Sequence, residues 1–217
     1  MRSASALLLV AGALVLGACG GGGGGSATQS SAEGACATVA KPKPRPAPHL
    51  QAPTERLAAG STYRVLVQTS CGDFTITLDQ KTSPATTASF VSLVRKGYFD
   101  NTSFHRIVPD FVIQAGDPTG TGAGGPGYST VDRPPKGTVY LRNTVAMAKT
   151  SAEAPGTAGS QFFVVTAPNA HLPPEYAVLG KITAGQDVVA RIGRLGTVME
   201  QKPTRPIVIE KMTVQVS

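Results

Sequence analysis

Histidine is scarce in this chain of 217 residues, and that scarcity narrows the chemistry early. His49, His105 and His171 lie far apart, and none has a cysteine or carboxylate at ligand spacing, which argues against a metal centre. The three cysteines include no CxxC pair, which argues against thioredoxin-like redox chemistry. No apolar run reaches the ~20 residues that a membrane-spanning helix needs. Charged residues are only 15%, and the formal charge of +7 is scattered apart from one small basic cluster, a pattern that speaks against nucleic-acid binding. Ser160 in AGSQFF lacks the G-x-S-x-G turn of an activated nucleophile. GTGAGG (Gly120–Gly125) has the spacing of a dinucleotide fingerprint, but PGYSTVDRPP follows it and cannot open the helix that would receive a phosphate. It reads as a glycine-rich surface loop.

The N-terminus reads as an address. Arg2 is a minimal basic region and SALLLVAGALVL a short apolar one, together the pattern of a signal peptide over residues 1–18. LGAC (Leu16–Cys19) resembles the lipobox of bacterial lipoproteins, which implies cleavage after Ala18 and a lipid on the Cys19 thiol; the alternative is a plain secretory signal. The expected location is the bacterial cell envelope, on the outer face of the plasma membrane. Six glycines, Gly20–Gly25, and then KPKPRPAPHLQAP follow, so residues 19–59 read as a flexible, partly polyproline tether. Outside the cytoplasm the two remaining cysteines, Cys36 and Cys71, are a candidate disulfide, with two free thiols as the alternative.

Residues 60–217 carry the folded pattern, and 41% hydrophobic residues suffice for one core. YRVLVQT (Tyr63–Thr69) and DFTITL (Asp73–Leu78) alternate about a turn at Ser70-Cys71-Gly72. Ser83 as cap, Pro84 at the first position and Gly97 as stop bracket a helix whose face is Phe90, Leu93 and Val94. Further strands are expected at 103–108, 111–115, 144–148, 161–166, 177–182 and 207–216, with a second helix at 186–195. So many short strands suggest a closed barrel, which leaves no exposed sheet edge.

Two polar residues break the apolar run FHRIVPDFVIQAG (Phe104–Gly116): Arg106 and Gln114. With VAMAK, GSQFFVVTA and YAVLGKI in the same order, this block resembles the cyclophilin family of peptidyl-prolyl isomerases from about Tyr63 to the C-terminus. The resemblance implies a mainly β fold, a closed eight-stranded antiparallel barrel capped by two α-helices. It implies Arg106 as catalytic residue, with Phe111, Val112, Gln114, Gly122, Ala148, Gln161, Phe163, Leu172 and Tyr176 binding substrate. Lys149, in place of a common asparagine, and His171, in place of a tryptophan that contacts cyclosporin, complete the expected site, and weak cyclosporin binding follows. SAEAPGTA is longer than the family's usual loop, and Tyr176 replaces a common histidine. No metal and no cofactor are implied, because bond rotation needs neither. The expected partners are proline-containing polypeptides and, through Cys19, the membrane, with the chain a monomer. The competing reading is a cyclophilin-like module that binds prolyl segments with little turnover.

Overall fold

The computed structural model describes residues 34–217, which fall within one compact unit. The signal-peptide residues, Cys19 and Gly20–Gly25 lie outside the described residues. Eleven strands and two helices follow one another: β1 (Tyr63–Thr69), β2 (Gly72–Leu78), α1 (Pro84–Arg95), β3 (Thr102–Ser103), β4 (Arg106–Val108), β5 (Val112–Ala115), β6 (Thr130–Val131), β7 (Thr144–Met147), β8 (Thr157–Ala158), β9 (Phe162–Val165), β10 (Val178–Ala184), α2 (Gln186–Gly193) and β11 (Val208–Val216).

Nine strands form one antiparallel sheet in the order β3-β11-β1-β2-β10-β7-β9-β5-β4, and β6 pairs with β8 separately. The class is the expected one, but the strand count and the closure differ. The segment expected as one strand, 103–108, changes partner midway: Thr102–Ser103 pairs with β11 and Arg106–Val108 with β5. The two outermost strands of the sheet are therefore neighbours in the chain, separated only by Phe104-His105. The sheet is strongly curled but not closed, since no ladder joins β3 to β4 and only the chain itself links its two end strands. Phe104 N–H donates to Ile207 O at 3.0 Å and Ile107 N–H to Gln201 O at 3.0 Å, so backbone bonds are kept on either side of His105.

The interior follows from strand alternation. Val65 and Val67 of β1, Phe74 and Ile76 of β2, and Ile107, Ile113, Val145 and Val164 all point inward and are buried. Helix α1 covers one end with Phe90, Val91, Leu93 and Val94, and Phe90 meets Phe99 and Phe162 at ring distances of 4.9 and 5.6 Å. Pro84 occupies the first turn as expected, and Gly97 takes the left-handed conformation (φ 65°) just beyond the end. Ser83 does not cap with its side chain. The N–H of Thr86 is taken instead by Asp132 Oδ2 at 2.6 Å, a cap supplied from the chain after β6.

The tether differs most from expectation. Cys36 and Cys71 are joined in a disulfide, and Cys71 sits in the turn between β1 and β2. From Cys36 onward the chain lies along the domain: Ala37, Arg45 and Leu50 N–H groups donate to Ser70, Pro118 and Pro126 carbonyls. Leu50 and Leu57 pack on the core. The folded part thus begins near residue 36 and not at 60. Extended proline-rich chain loses little entropy when it docks, and two leucines and a covalent link compensate the remainder.

Linking positions 35 residues apart stabilises the fold by about 3–4 kcal/mol on the chain-entropy view. Cys36→Ser is expected to lower Tm by roughly 6–16 °C for a domain of this size. Thermal unfolding followed by circular dichroism, with and without reductant, checks it: the reductant should lower the wild-type Tm and leave the variant unchanged.

Candidate active site

Register places the candidate residues in a row. Arg106 of β4 faces Gln114 of β5, Gln114 faces Phe163 of β9, and Phe163 faces Ala146 of β7. The adjacent row, Ile107–Ile113–Val164–Val145, fills the interior. Because side chains alternate across a pleat, the Arg106 row lies on the outer face of the sheet. That face carries its own apolar cluster, distinct from the interior core. Val112, Tyr140, Ala146, Phe163 and Val165 are its buried centre, and Phe111, Ala148, Leu172 and Tyr176 pack around them half-buried.

Polar groups border this cluster along a directed chain. Gln161 Nε2 donates to the carbonyls of Gly122 (2.9 Å) and Gly124 (3.0 Å). Carbonyls only accept, so the Gln161 amide must present its oxygen to Gln114, whose Nε2 donates to it at 3.0 Å. Gln114 Oε1 is then left to accept from Arg106 Nη1 at 3.3 Å. Gln201 Oε1 accepts from Arg106 Nε at 2.8 Å. The guanidinium is thus held at two of its nitrogens, 5.9 Å from the centre of the Phe111 ring, and Nη2 donates to no protein group among the described residues. Burial lowers the Arg106 pKa from its ordinary value, but a guanidinium stays charged at neutral pH.

The remaining candidates occupy different parts of this surface. Phe163 and Tyr176 meet edge to face at 5.5 Å. Gly122 (φ 87°) is exposed on the loop, and Leu172 lies against the outer cluster. Lys149 pairs with Glu175 at 3.0 Å and lies 5.7 Å over the Tyr176 ring. His171 is exposed, with its backbone left-handed (φ 51°) and its N–H donating to Asn169 Oδ1. His105 is half-buried with its ring against Gly122, and burial lowers its pKa. A cavity of about 490 Å³ adjoins the row between the glycine-rich loop and Ala148–Thr150, with Gln114 and Gln161 on its near wall.

Three residues with a part in this surface were missed from sequence. Gln201 reaches Arg106 across 95 positions, and nothing local marks it. Tyr140 donates its hydroxyl to Tyr176 O (2.7 Å) and accepts from Tyr176 N–H (3.0 Å), which fixes that segment; burial pushes its pKa up to about 12, so it remains a donor. Asp117 left a legible trace, since DPTG is turn chemistry. Its buried carboxylate accepts from the N–H groups of Thr119, Thr121 and Gly122 and shapes the loop. A Cβ at Gly124 would collide with that carboxylate.

Residues 64–214 match the family model described as cyclophilin type peptidyl-prolyl cis-trans isomerase/CLD. The peptidyl-prolyl cis-trans isomerase CYP18-2 of Arabidopsis thaliana is 38% identical over 156 residues, covering 71% of this chain and 95% of the relative. A cyclophilin type peptidyl-prolyl cis-trans isomerase of Cryptosporidium parvum superposes with a TM-score of 0.65 at 31% identity, covering 71% of this chain and 98% of that one. The same Cryptosporidium parvum isomerase, solved in the presence of the dipeptide Ala-Pro, gives 0.64 at 32% identity and covers 70% and 98%.

Asp117 carries the pH-dependent expectation of this site. Burial alone would raise its pKa, but hydrogen bonds from the Thr119 hydroxyl and from the Thr119, Gly124 and Gly122 backbone outweigh it and hold the value below the ordinary range. A carboxyl whose folded pKa is depressed stabilises fully above the unfolded value, near pH 4, and loses this as pH falls through the folded value. Asp117→Asn should cost about 1–3 kcal/mol at pH 7, because the added amide donors face N–H groups. Urea unfolding at pH 7 and pH 3 tests it, and the wild type should lose more stability between the two than the variant.

Proposed function

This chain belongs to the cyclophilin-type peptidyl-prolyl cis-trans isomerases, and from that premise we propose that Arg106 is its catalytic residue, acting on proline-containing segments of exported proteins. A peptide bond resists rotation by ~18–20 kcal/mol because the nitrogen lone pair is delocalised into the carbonyl. In the twisted state that lone pair returns to the prolyl nitrogen, which becomes a hydrogen-bond acceptor. A donor aimed at this nitrogen binds the twisted state better than either planar one, and such differential binding is catalysis. No bond is made or broken, so no nucleophile or cofactor takes part.

One observation carries the assignment: the Arg106 guanidinium is tied at Nε by Gln201 and at Nη1 by Gln114, which leaves Nη2 to donate beside an apolar surface. Phe111, Phe163, Leu172 and Tyr176 would hold the pyrrolidine ring while the preceding carbonyl swings, and Val112 lies beneath. The backbone of the preceding residues would run past Gln114, Gln161, Ala148 and Gly122, with Lys149 bracing Tyr176 from the side. The likeness to a relative solved in the presence of Ala-Pro supports a prolyl ligand. Exposed His171 in place of an aromatic wall keeps cyclosporin binding weak in this reading.

The proposal extends to where the chain works. A disulfide between Cys36 and Cys71 suits an oxidising compartment, and LGAC supplies a lipidation signal. Cys19 stands 17 residues before Cys36, so a lipid on Cys19 would keep the domain within about 60 Å of the membrane. Cys19→Ser is expected to move the protein from the membrane fraction to the soluble fraction of cells that process lipoproteins. An unchanged membrane fraction would count against the anchor.

Exchange between the cis and trans forms of an X–Pro peptide, measured by NMR, tests the catalytic assignment. Arg106→Ala should lower kcat/KM by about 10²–10³-fold, the typical loss for one preorganised donor, with peptide binding largely kept. A wild type that binds without turnover, or a variant as fast as the wild type, would refute it.

A further inference from the structure

The loop that orients Gln161 is the least self-sufficient part of the site. Residues 120–125 read GTGAGG, and glycine loses more conformational freedom on ordering than any other residue. Its shape therefore depends on what grips it. Asp117 grips it from within. The second grip comes from outside the region matched to the family, which begins at residue 64.

We propose that residues 36–59 form a strap that holds this loop in place, and that Arg45 is thereby a positioning residue for the Arg106 guanidinium. The strap touches both ends of the loop. Arg45 N–H donates to Pro118 O at 2.9 Å, and Leu50 N–H donates to Pro126 O at 2.8 Å. Between them the strap runs so close that a Cβ at Gly127 would stand 2.8 Å from His49 Cα. The strap is fastened to the domain independently of the loop. Arg45 Nη2 donates to the carbonyls of Tyr98 (2.7 Å) and Asp100 (2.9 Å), and Cys36 is bonded to Cys71.

Two routes lead from Arg45 to the site. In the first, Pro118 and Pro126 frame the loop, whose Gly122 and Gly124 carbonyls accept from Gln161, and Gln161 leads through Gln114 to Arg106. In the second, Arg45 holds the backbone of Tyr98. The Ser160 hydroxyl donates to Gly116 O at 2.7 Å, so the Tyr98 hydroxyl donates to Ser160 Oγ, 3.1 Å away. Both routes end on the adjacent residues Ser160 and Gln161. Alternating prolines suit the strap, since each removes a donor and stiffens the chain, and Arg45 and Leu50 keep the N–H groups that bond.

This inference rests on the catalytic reading of Arg106, and its test separates the two. Arg45→Ala and Arg45→Lys are compared with wild type in the full chain. Three readings are taken: solvent exchange of the Gln161 carboxamide protons and the Gly122 amide, exchange of the Val65 and Val67 amides in β1, and kcat/KM on an X–Pro peptide. Arg45→Ala should speed exchange at Gln161 and Gly122 at least tenfold, leave Val65 and Val67 unchanged, and lower kcat/KM three- to tenfold with under twofold change in peptide Kd. Arg45→Lys, which keeps a cationic donor for the two carbonyls, should recover both effects to within about threefold. Wild-type exchange at Gln161 in Arg45→Ala overturns the strap, as does an equal acceleration at Val65 and Val67. Faster exchange with unchanged kcat/KM overturns the link to Arg106. A wild type without isomerase activity overturns the catalytic reading, and the exchange readings then decide the strap alone.

Discussion

The pleat of β4, β5 and β9 decides which side chains of this molecule share the outer face of the sheet. Paired in register, Arg106, Gln114 and Phe163 must emerge on one face, because their neighbours Ile107, Ile113 and Val164 fill the interior. A slip of one residue would exchange the two rows, burying a guanidinium and exposing three branched apolar side chains. The interior therefore enforces the register, and the register delivers the site. Even the break between β3 and β4 serves this arrangement, since the chain leaves β11 and joins β5 just before Arg106.

Orientation is a separate problem from placement, and hydrogen-bond direction solves it. An arginine on an exposed sheet face has several rotatable bonds and no reason to keep one pose. Here the obligatory acceptors at one end, the Gly122 and Gly124 carbonyls, set Gln161, then Gln114, then one edge of the guanidinium. Gln201 holds the guanidinium at Nε. The glycines of the loop beside the row supply little order of their own, and Asp117 and the proline-rich segment from Cys36 bond to it.

That division explains what could be read in advance. The alternation of YRVLVQT and the cap-and-stop signals around α1 are local, and the elements appear where they were expected. Arg106 and Gln114 were visible because a polar residue inside an apolar strand is unusual in itself. Gln201 and Tyr140 were not visible: their roles come from contacts 95 and 36 positions away, and neither sits in a marked context. KPKPRPAPH misled for a related reason. Its composition describes how the chain behaves unsupported, whereas its docking depends on Pro118, Pro126 and Tyr98, far along the sequence.

By itself, then, the sequence determined the longer strands, both helices, the family and the identity of the polar exceptions, because periodicity and motif order are properties of short stretches. Tertiary structure alone decided that the two end strands of the sheet are joined through Phe104-His105, that the segment from Cys36 belongs to the domain, and that Arg106 is held by two glutamines. Each of those depends on groups brought together by long-range closure, and the hydrogen bonds that result have no counterpart in any local pattern.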